Sequence, residues 1–123
     1  MPTAFAGRNM YVKDVPMKRG EIWWVNFDPS AGMEIQKTRP AVILTVNALN
    51  RARGTVVVVP LSTSAKPRPP LVIALPSAGS SSVGVCDQLC AADKSRFASK
   101  IGELSAEDMA LLTESIKTVL GLL

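Results

Sequence analysis

The sequence predicts a mainly β domain that ends in one α-helix, an α+β fold in which short strands form a small curled sheet or barrel. Five short segments are rich in β-branched and aromatic residues, and turns containing Gly, Pro, Ser or Asp separate them. Residues 105–123 instead repeat apolar side chains at steps of three and four, the spacing of an amphipathic helix. The predicted strands span residues 21–27, 40–46, 55–61, 71–75 and 83–89.

The chain has 123 residues, a length that fits one domain. Residues 1–16 are predicted to be a loose N-terminal extension, because Gly7, Asn9 and Pro16 interrupt any regular spacing of apolar side chains. The folded domain is therefore predicted to span residues 17–123. The sequence has neither an apolar run of about 18 residues nor the apolar core of a signal peptide, so we expect no membrane segment and no secretion signal.

Particular residues refine the strand predictions. The segment 40–46 (PAVILTV) is almost continuously apolar, which favours burial on both faces. Pro40 is expected only at the first position of that strand, because proline has no backbone donor, and Pro60 indicates an edge or a bulge near the end of the third strand. Trp23 and Trp24 are adjacent on a strand, so one is expected in the core and the other nearer solvent or a partner subunit.

The C-terminal part of the chain predicts mixed structure followed by the helix. Residues 93–97 predict a short helical turn, and residues 100–104 predict a short extended piece. The helix is expected to begin after Ser105 as N-cap, with Asp108 at the third position of a capping box. Its predicted apolar face consists of Met109, Leu112, Ile116, Val119, Leu120 and Leu123.

The absence of histidine limits the chemistry that this chain can perform. It excludes Ser-His-Asp and Cys-His mechanisms and RNA cleavage by paired imidazoles, so carboxylate, hydroxyl, Arg or Lys groups would have to act. Cys86 and Cys90 lack the further ligands of a zinc site, and we expect them to be reduced. We expect no metal and no other cofactor. The net charge of +4 fits a polyanionic partner and simple solubility equally well.

Three places in the sequence hold polar side chains that can act on a phosphate. The planar guanidinium of Arg39 can bind two phosphate oxygens, although a surface ion pair is the commoner role of an arginine. Ser62 and Thr63 can donate hydrogen bonds, although turns at strand ends use the same residue types. Asp87 and Gln88 fall within the predicted fifth strand, where an aspartate is either paired structurally or used as a base whose affinity for protons is raised by burial.

Four segments of the chain have a distinctive order and spacing. They are residues 18–25 (KRGEIWWV), residues 28–42 with their Thr38-Arg39-Pro40 step, residues 59–64 (VPLSTS), and residues 87–104, which open with Asp87-Gln88. Together they resemble the MazF/PemK (Kid-like) toxins of type II toxin–antitoxin systems. The resemblance covers nearly everything from residue 17 to the C-terminus.

This resemblance implies an SH3-like small barrel of the CcdB/MazF type, a homodimer, and a metal-independent, sequence-specific endoribonuclease that cleaves single-stranded RNA in the cytoplasm. Attack by the 2′-hydroxyl on the adjacent phosphorus would leave a 2′,3′-cyclic phosphate and a 5′-hydroxyl, and the loss of RNA would inhibit translation and growth. The resemblance also implies a cognate antitoxin, MazE-like or similar, as a partner, and no membrane association.

The same resemblance assigns catalytic roles. Arg39 matches the catalytic arginine that precedes proline in the family, and we expect it mainly to stabilise charge on the phosphate. Ser62 stands at a position where the family has threonine, and Thr63 is the hydroxyl residue beside it. Asp87 matches an aspartate that takes part in catalysis in Kid-like members.

Two positions depart from the Kid-like pattern. Val85 stands where those members have an arginine, and Met33 stands where they have a histidine. Both departures shift the predicted chemistry from Asp87 toward Arg39 and the neighbouring hydroxyls. The residues expected to contact substrate lie in the loop 33–38, in the loop after the third strand, and beside Asp87: Glu34, Gln36, Lys37, Lys66, Arg68 and Gln88.

Two other functions are compatible with a small barrel of this kind. One is a non-catalytic toxin that binds DNA gyrase, as CcdB does. The other is an SH3-like RNA-binding or adaptor module without catalysis. The Arg-Gly-Glu-Ile-Trp opening and the Thr-Arg-Pro step favour the ribonuclease over both.

Overall fold

The computed structural model describes residues 16–28 and 37–123, and within them a mainly antiparallel sheet is followed by a C-terminal helix, as predicted. The N-terminal extension falls almost entirely outside these residues, so the domain boundary stays a prediction. In chain order the elements are β1 (Glu21–Asn26), β2 (Thr38–Ile43), α1 (Asn47–Ala52), β3 (Thr55–Ser62), β4 (Val72–Ala74), β5 (Val83–Val85), β6 (Cys90–Asp93), β7 (Phe97–Glu103) and α2 (Ala106–Leu120).

The strands form one antiparallel sheet with the order β4-β5-β3-β2-β1-β7, and β6 pairs with β3 beside β5. β3 is therefore the central strand, with β2 along one edge and both β5 and β6 along the other. In the part of the chain that the structure describes, no ladder joins β4 to β7, so the sheet does not close into a complete barrel.

The first apolar cluster shows that the sheet curls. Side chains from β7 and β6, at opposite ends of the run β7-β1-β2-β3-β6, meet in it, which requires these strands to bend around it. The rings of Trp23 and Phe97 pack edge-on with centroids 6.0 Å apart. The buried members are Met17, Trp23, Val25, Ala41, Ile43, Val56, Val58, Ala92 and Phe97.

A second apolar cluster lies on the other face of the sheet, where α2 covers it through Leu112. Its buried members are Ile22, Val42, Val59, Leu61, Ile73, Leu75, Cys86, Leu104 and Leu112. Because β2 supplies Ala41 and Ile43 to the first cluster and Val42 to the second, it is buried on both faces, as predicted. The tryptophans also divide as predicted: Trp23 is in the core and Trp24 is 40% exposed.

The predicted fifth strand, residues 83–89, is wrong as one continuous strand. β5 ends at Val85, residues Cys86–Gln88 form a 3-10 turn, and β6 begins at Cys90. β5 and β6 pair with the same edge of β3, but five residues lie between Gly84 and Cys90 where β3 has only two between their partners. The 3-10 turn accommodates the extra residues, and it directs the Cys86 side chain into the second cluster.

This break explains how Pro60 fits within the central strand. The backbone nitrogen of Leu44 donates to Val57 at 2.8 Å, so the alternation of backbone direction turns Pro60 toward the other edge of β3. On that edge the β6 ladder ends at Val58 and the β5 ladder begins at Leu61, so no donor is needed from proline. The predicted edge or bulge at Pro60 is wrong, because β3 is the central strand and the irregularity lies in its partner, between β5 and β6.

Pro40 is the third residue of β2, so its predicted position at the start of the strand is wrong. It pairs with Trp24 in β1. The ladder between β2 and β3 ends at the pair Ala41–Pro60, one residue before Pro40 would have to donate to β3. Proline is tolerated at this position because the β2–β3 ladder has already ended, so Pro40 needs no backbone donor toward β3. It still pairs with Trp24 on the side of β1.

The start of α2 confirms half of the predicted capping box. The hydroxyl of Ser105 accepts a hydrogen bond from the backbone nitrogen of Asp108 at 3.0 Å. The Asp108 carboxylate does not return to Ser105; it accepts from the backbone nitrogen of Ser77 at 2.8 Å and from the Ser77 hydroxyl. Ser77 also accepts from the Ser105 nitrogen at 3.0 Å, so the capping interaction ties α2 to the segment after β4.

The start of β1 is tied to β7 by the buried carboxylate of Glu21. Burial alone would raise the pKa of Glu21, but hydrogen bonds from the Trp23 indole and the Lys18 nitrogen, both at 3.0 Å, together with the nearby Lys100, lower it. The Lys100 ammonium lies 3.1 Å from Glu21 and 3.1 Å from Glu103. The buried carboxylate of Glu21 on β1 is thus neutralised by the Lys100 ammonium from β7.

The predicted short helical turn near residue 95 is confirmed as a 3-10 turn at Lys94–Arg96, and the predicted extended piece is part of the longer strand β7. Both cysteines are free, as expected. Burial, with a smaller effect from Asp87, raises the pKa of the Cys86 thiol to about 11. The helices in the described part of the chain are all too short or too polar to cross a membrane.

Candidate active site

Arg39 and Ser62 lie at the same end of neighbouring strands. β2 and β3 are antiparallel, and the last paired residues at this end are Ala41 and Pro60. Arg39 lies two residues before Ala41, and Ser62 lies two residues after Pro60, so both extend beyond the ladder in the same direction. Because side chains alternate along a strand, both leave the sheet on the face of their paired neighbours. The structure therefore places these two predicted residues at the same end and on the same face of the sheet.

The backbone pattern brings the strands close together at the last pair of this ladder. The Ile43 carbonyl accepts from Gly20 at 2.8 Å, so alternate residues of β2, including Arg39, direct their backbone groups toward β1. Ala41 and Pro60 thus form a non-hydrogen-bonded pair, and the ladder ends with them, so Arg39 and Ser62 lie just beyond its last pair and are not themselves paired. In such pairs the Cα atoms are only about 4.5 Å apart, compared with about 5.5 Å in hydrogen-bonded pairs.

Arg39 is half-buried and is held by its strand. It pairs with Val25, a fully buried residue of β1. The apolar residues that follow it, from Ala41 to Ile43, are buried completely. The backbone of Arg39 is therefore fixed before any substrate binds, which favours charge stabilisation by its guanidinium.

The Ser62 hydroxyl is part of a turn at the end of β3. It accepts hydrogen bonds from the backbone nitrogens of Ser64 at 3.1 Å and Ala65 at 3.3 Å, and it lies 3.2 Å from the Ser64 hydroxyl. Ser62 is also buried. The turn interpretation is therefore confirmed for Ser62, and its oxygen shapes the start of the loop in addition to any contact with substrate.

Thr63 differs from Ser62 although it is adjacent in the sequence. It is exposed, and within residues 16–28 and 37–123 its hydroxyl has no hydrogen-bond partner. A hydroxyl in this state can donate to a phosphate oxygen without giving up a structural contact. Thr63 is the better placed of the two for substrate.

Substitutions of Ser62 and Thr63 should have different effects on stability. Ser62→Ala is expected to destabilise the protein by about 1–2 kcal/mol, because it removes the acceptor of a buried turn, and Thr63→Ala should change stability by less than about 0.5 kcal/mol. Thr63→Ala should nevertheless slow RNA cleavage. Urea denaturation and cleavage rates of both variants test this, and equal stability losses would contradict the structural difference between them.

Asp87 and Gln88 lie in the 3-10 turn between β5 and β6 instead of in a strand, so their predicted placement is wrong. The turn lies beside β3 on the edge that Pro60 faces. Asp87 is exposed and Gln88 is half-buried. Any role of the Asp87 carboxylate therefore depends on its position relative to the substrate.

The predicted substrate loop is described only at its base. Glu34 and Gln36, as well as Met33, lie outside the described residues. Lys37 is exposed and has a positive φ of 70°, and its backbone nitrogen donates to the Asp28 carboxylate at 2.7 Å. Lys37 therefore marks the point at which the chain returns from the loop to β2.

Lys66 and Arg68 are exposed in the segment between β3 and β4. Lys66 follows directly after the Ser62 turn. The backbone of Arg68 exchanges hydrogen bonds with Val72, at 2.6 Å and 3.0 Å, in a narrow turn. These two cations extend the polar surface that begins at Thr63.

Sequence reasoning gave no role to Arg96, although its segment was part of the resemblance. Its guanidinium donates to the carbonyl oxygens of Asn26, at 3.0 Å, and Asp28, at the base of the substrate loop. The only sequence signal was an arginine just before a strand that pairs with β1, which is a weak signal for such a contact.

Comparison with known proteins places these features in a family context. Residues 18–120 match a family described as PemK-like, MazF-like toxin of type II toxin-antitoxin system. A relative named endoribonuclease MazF9, from Mycobacterium tuberculosis, is 33% identical over 116 residues, which are 86% of this chain and 98% of that protein.

Solved structures agree with the sequence comparison. The crystal structure of MazF from Deinococcus radiodurans superposes with a TM-score of 0.79 and 32% identity, covering 89% of this chain and all of that chain (100%). A crystal structure of MazE-MazF from the same organism matches with a TM-score of 0.73 and 28% identity, covering 89% of this chain and 100% of that one. The curled sheet and terminal helix described above are therefore the fold of these proteins.

Proposed function

Since this chain belongs to the PemK-like, MazF-like toxin family of type II toxin–antitoxin systems, we propose that it is a sequence-specific endoribonuclease that cleaves single-stranded RNA without a metal ion. The observation that carries this proposal is the placement of Arg39 and Ser62 at the same end and on the same face of β2 and β3, with the exposed Thr63 next in the chain. A cation and hydroxyl donors brought together on rigid strands suit the binding of one phosphodiester.

The proposed reaction is an in-line attack by the 2′-hydroxyl on the adjacent phosphorus. The new bond closes a 2′,3′-cyclic phosphate, and the bond to the 5′-oxygen breaks. The released 5′-oxygen takes a proton from water and becomes the 5′-hydroxyl. Arg39 stabilises the negative charge that develops on the phosphate oxygens, since arginine stays protonated near neutral pH and is a poor base. Thr63, supported by Ser62, donates a hydrogen bond to the same phosphate.

Proton transfer is assigned to Asp87. Its exposed carboxylate accepts the proton of the 2′-hydroxyl, and its usefulness depends on lying close to the bound ribose. The proposed contacts to the rest of the substrate come from the two loops and the 3-10 turn, and these residues are Glu34, Gln36, Lys37, Lys66, Arg68 and Gln88.

In the cell, the proposed role is that of a growth-inhibiting toxin. Cleavage of mRNA or other RNA in the cytoplasm would stop translation until a cognate antitoxin binds the toxin. A MazE-MazF structure among the matches supports a MazE-like antitoxin as partner. The proposed active form is a homodimer.

A non-catalytic toxin that binds gyrase is not favoured, because MazF9 and other curated relatives are named endoribonucleases. The test is incubation of the purified protein with a defined single-stranded RNA in EDTA, with a gyrase supercoiling assay run in parallel. We expect fragments that end in a 2′,3′-cyclic phosphate. Intact RNA together with gyrase inhibition, or RNA binding without cleavage, would overturn the proposal.

A further inference from the structure

We propose that Arg96 is a positioning residue for RNA cleavage, because its guanidinium holds the end of β1 and thereby fixes the base of the substrate loop beside Arg39. The proposal rests on the proposed ribonuclease function. It assigns to Arg96 no contact with RNA, and this distinguishes it from the basic residues that face the substrate.

The first step of the argument is the pair of carbonyls that Arg96 bridges. One guanidinium nitrogen, Nη1, donates to the carbonyl oxygen of Asn26 at 3.0 Å and also to that of Asp28. Asn26 is the last residue of β1, and Asp28 is the last residue described before the loop. Arg96 therefore satisfies backbone acceptors at the point where the β1 ladder ends.

The second step links those carbonyls to the other side of the loop. The Asp28 carboxylate accepts from the backbone nitrogen of Lys37 at 2.7 Å, and the Lys37 carbonyl accepts from Phe27 at 3.0 Å. The Asn26 side chain also accepts from the backbone nitrogen of Asp28 at 2.9 Å. Phe27 and Asp28 are thus joined to Lys37, and Arg96 holds this group of residues, the base of the predicted loop, from the β7 side.

The third step connects this base to the catalytic arginine. Asn26 pairs with Thr38, and Val25 pairs with Arg39, so the residues that Arg96 holds lie directly opposite the start of β2. A shift of the β1 end would be transmitted to Thr38 and Arg39 through the ladder. Misplacement of a catalytic group by about 1 Å can cost about a hundredfold in rate.

Arg96 is itself fixed from both sides. It ends the 3-10 turn whose first residue, Lys94, is buried and donates from its side chain to the Asn50 carbonyl and from its backbone to Gly54 at 2.9 Å. The next residue, Phe97, is in the first cluster and pairs with Val25. A long side chain on such an anchored backbone can act as a brace between β7 and the loop.

The test compares Arg96→Ala and Arg96→Lys with Arg53→Ala. Arg53 is an exposed residue at the end of α1, so its removal matches the loss of charge without touching the loop. We expect Arg96→Ala to lower kcat/KM for a single-stranded RNA about tenfold or more, mainly through kcat, whereas Arg53→Ala changes it less than about twofold. Arg96→Lys keeps the charge and three donors on one nitrogen but has a shorter side chain without the planar guanidinium, so it should recover part of the loss.

Salt dependence distinguishes positioning from a direct phosphate contact. If Arg96 bound phosphate, the slope of log affinity against log salt would fall by about one in Arg96→Ala, and KM would rise. Positioning predicts an unchanged slope. A reduced slope with unchanged kcat would therefore overturn the proposal, as would full cleavage activity in a folded Arg96→Ala protein.

Hydrogen exchange gives a readout that does not depend on RNA cleavage. The backbone amides of Phe27 and Lys37 should exchange faster in Arg96→Ala than in the wild type, while amides of β3 should not change. Unchanged exchange at the loop base would contradict the brace. If the wild-type protein failed to cut RNA but exchange changed as expected, the ribonuclease function would be wrong while the structural role of Arg96 remained.

Discussion

Replacement of Arg39 by alanine is expected to leave a folded protein that cleaves RNA about a hundredfold more slowly, the usual scale for losing one group that stabilises charge in a transition state. The variant loses the cation that is proposed to bind the phosphate, whereas β2 keeps its buried residues from Ala41 to Ile43. Most of the loss should be in kcat, because the charge that Arg39 balances grows as the phosphate is attacked.

Two further variants sharpen this experiment. Arg39→Lys keeps the charge but loses the planar, two-point geometry, so its rate should fall between those of the wild type and Arg39→Ala. Arg51→Ala removes an exposed arginine from α1, and we expect it to cut RNA normally. Wild-type cleavage by Arg39→Ala, or circular dichroism showing that it does not fold, would contradict the assigned role.

Replacement of Leu112 by alanine is expected to cost about 3–4 kcal/mol of the free energy of unfolding, within the range measured for buried leucines. Leu112 is 0% exposed and belongs to the second cluster under α2. A Cβ atom built on Gly84 would lie 3.5 Å from its Cδ1, so the helix approaches β5 closely at this point. The cavity would separate α2 from the strands that carry the 3-10 turn with Asp87.

The neighbouring residue supplies the matched control. Leu111 lies on the same helix and is 53% exposed, so Leu111→Ala should cost less than about 0.5 kcal/mol in a monomer. Urea denaturation of both variants at low protein concentration, with equal denaturant slopes, measures the difference. Similar losses in the two variants would mean that α2 does not pack as described.

Local patterns were enough to predict most of the elements. The alternation at Trp23 and Trp24, the continuous apolar run of β2 and the Ser105 cap each depend on neighbours within a few residues, and the structure has all three. Such features follow from side-chain period and backbone hydrogen bonding, which the sequence displays directly.

The sequence-based predictions are wrong where contacts between residues far apart in the chain determine the local structure. The break between β5 and β6 exists because both strands must pair with one edge of β3 in different registers, and no local signal in residues 83–89 reports a register. Asp108 leaves the capping box because Ser77, 31 residues away, offers two donors. Tertiary contacts of this kind override local preference.

The candidate site divides in the same way. Arg39 and Ser62 were predicted as separate possibilities, and their proximity follows only from the β2–β3 register. The turn made by the Ser62 hydroxyl is one of the two roles that the sequence allows for this residue. The contacts of Arg96 with Asn26 and Asp28, by contrast, join residues about 70 positions apart in the chain. The sequence identifies the residue types of the candidate site, but it does not show which of them the fold places near one another.

The two-sided burial of β2 and β3 bears on how relatives of this protein can diverge. Side chains anchored between two apolar layers have little freedom to move, so packing fixes the backbone of the two strands that carry Arg39 and Ser62. The surrounding loops are not packed between apolar layers, so they can accept insertions and substitutions at a small cost in stability. A change of preferred cutting motif is therefore expected to arise by loop replacement, with the chemistry inherited unaltered.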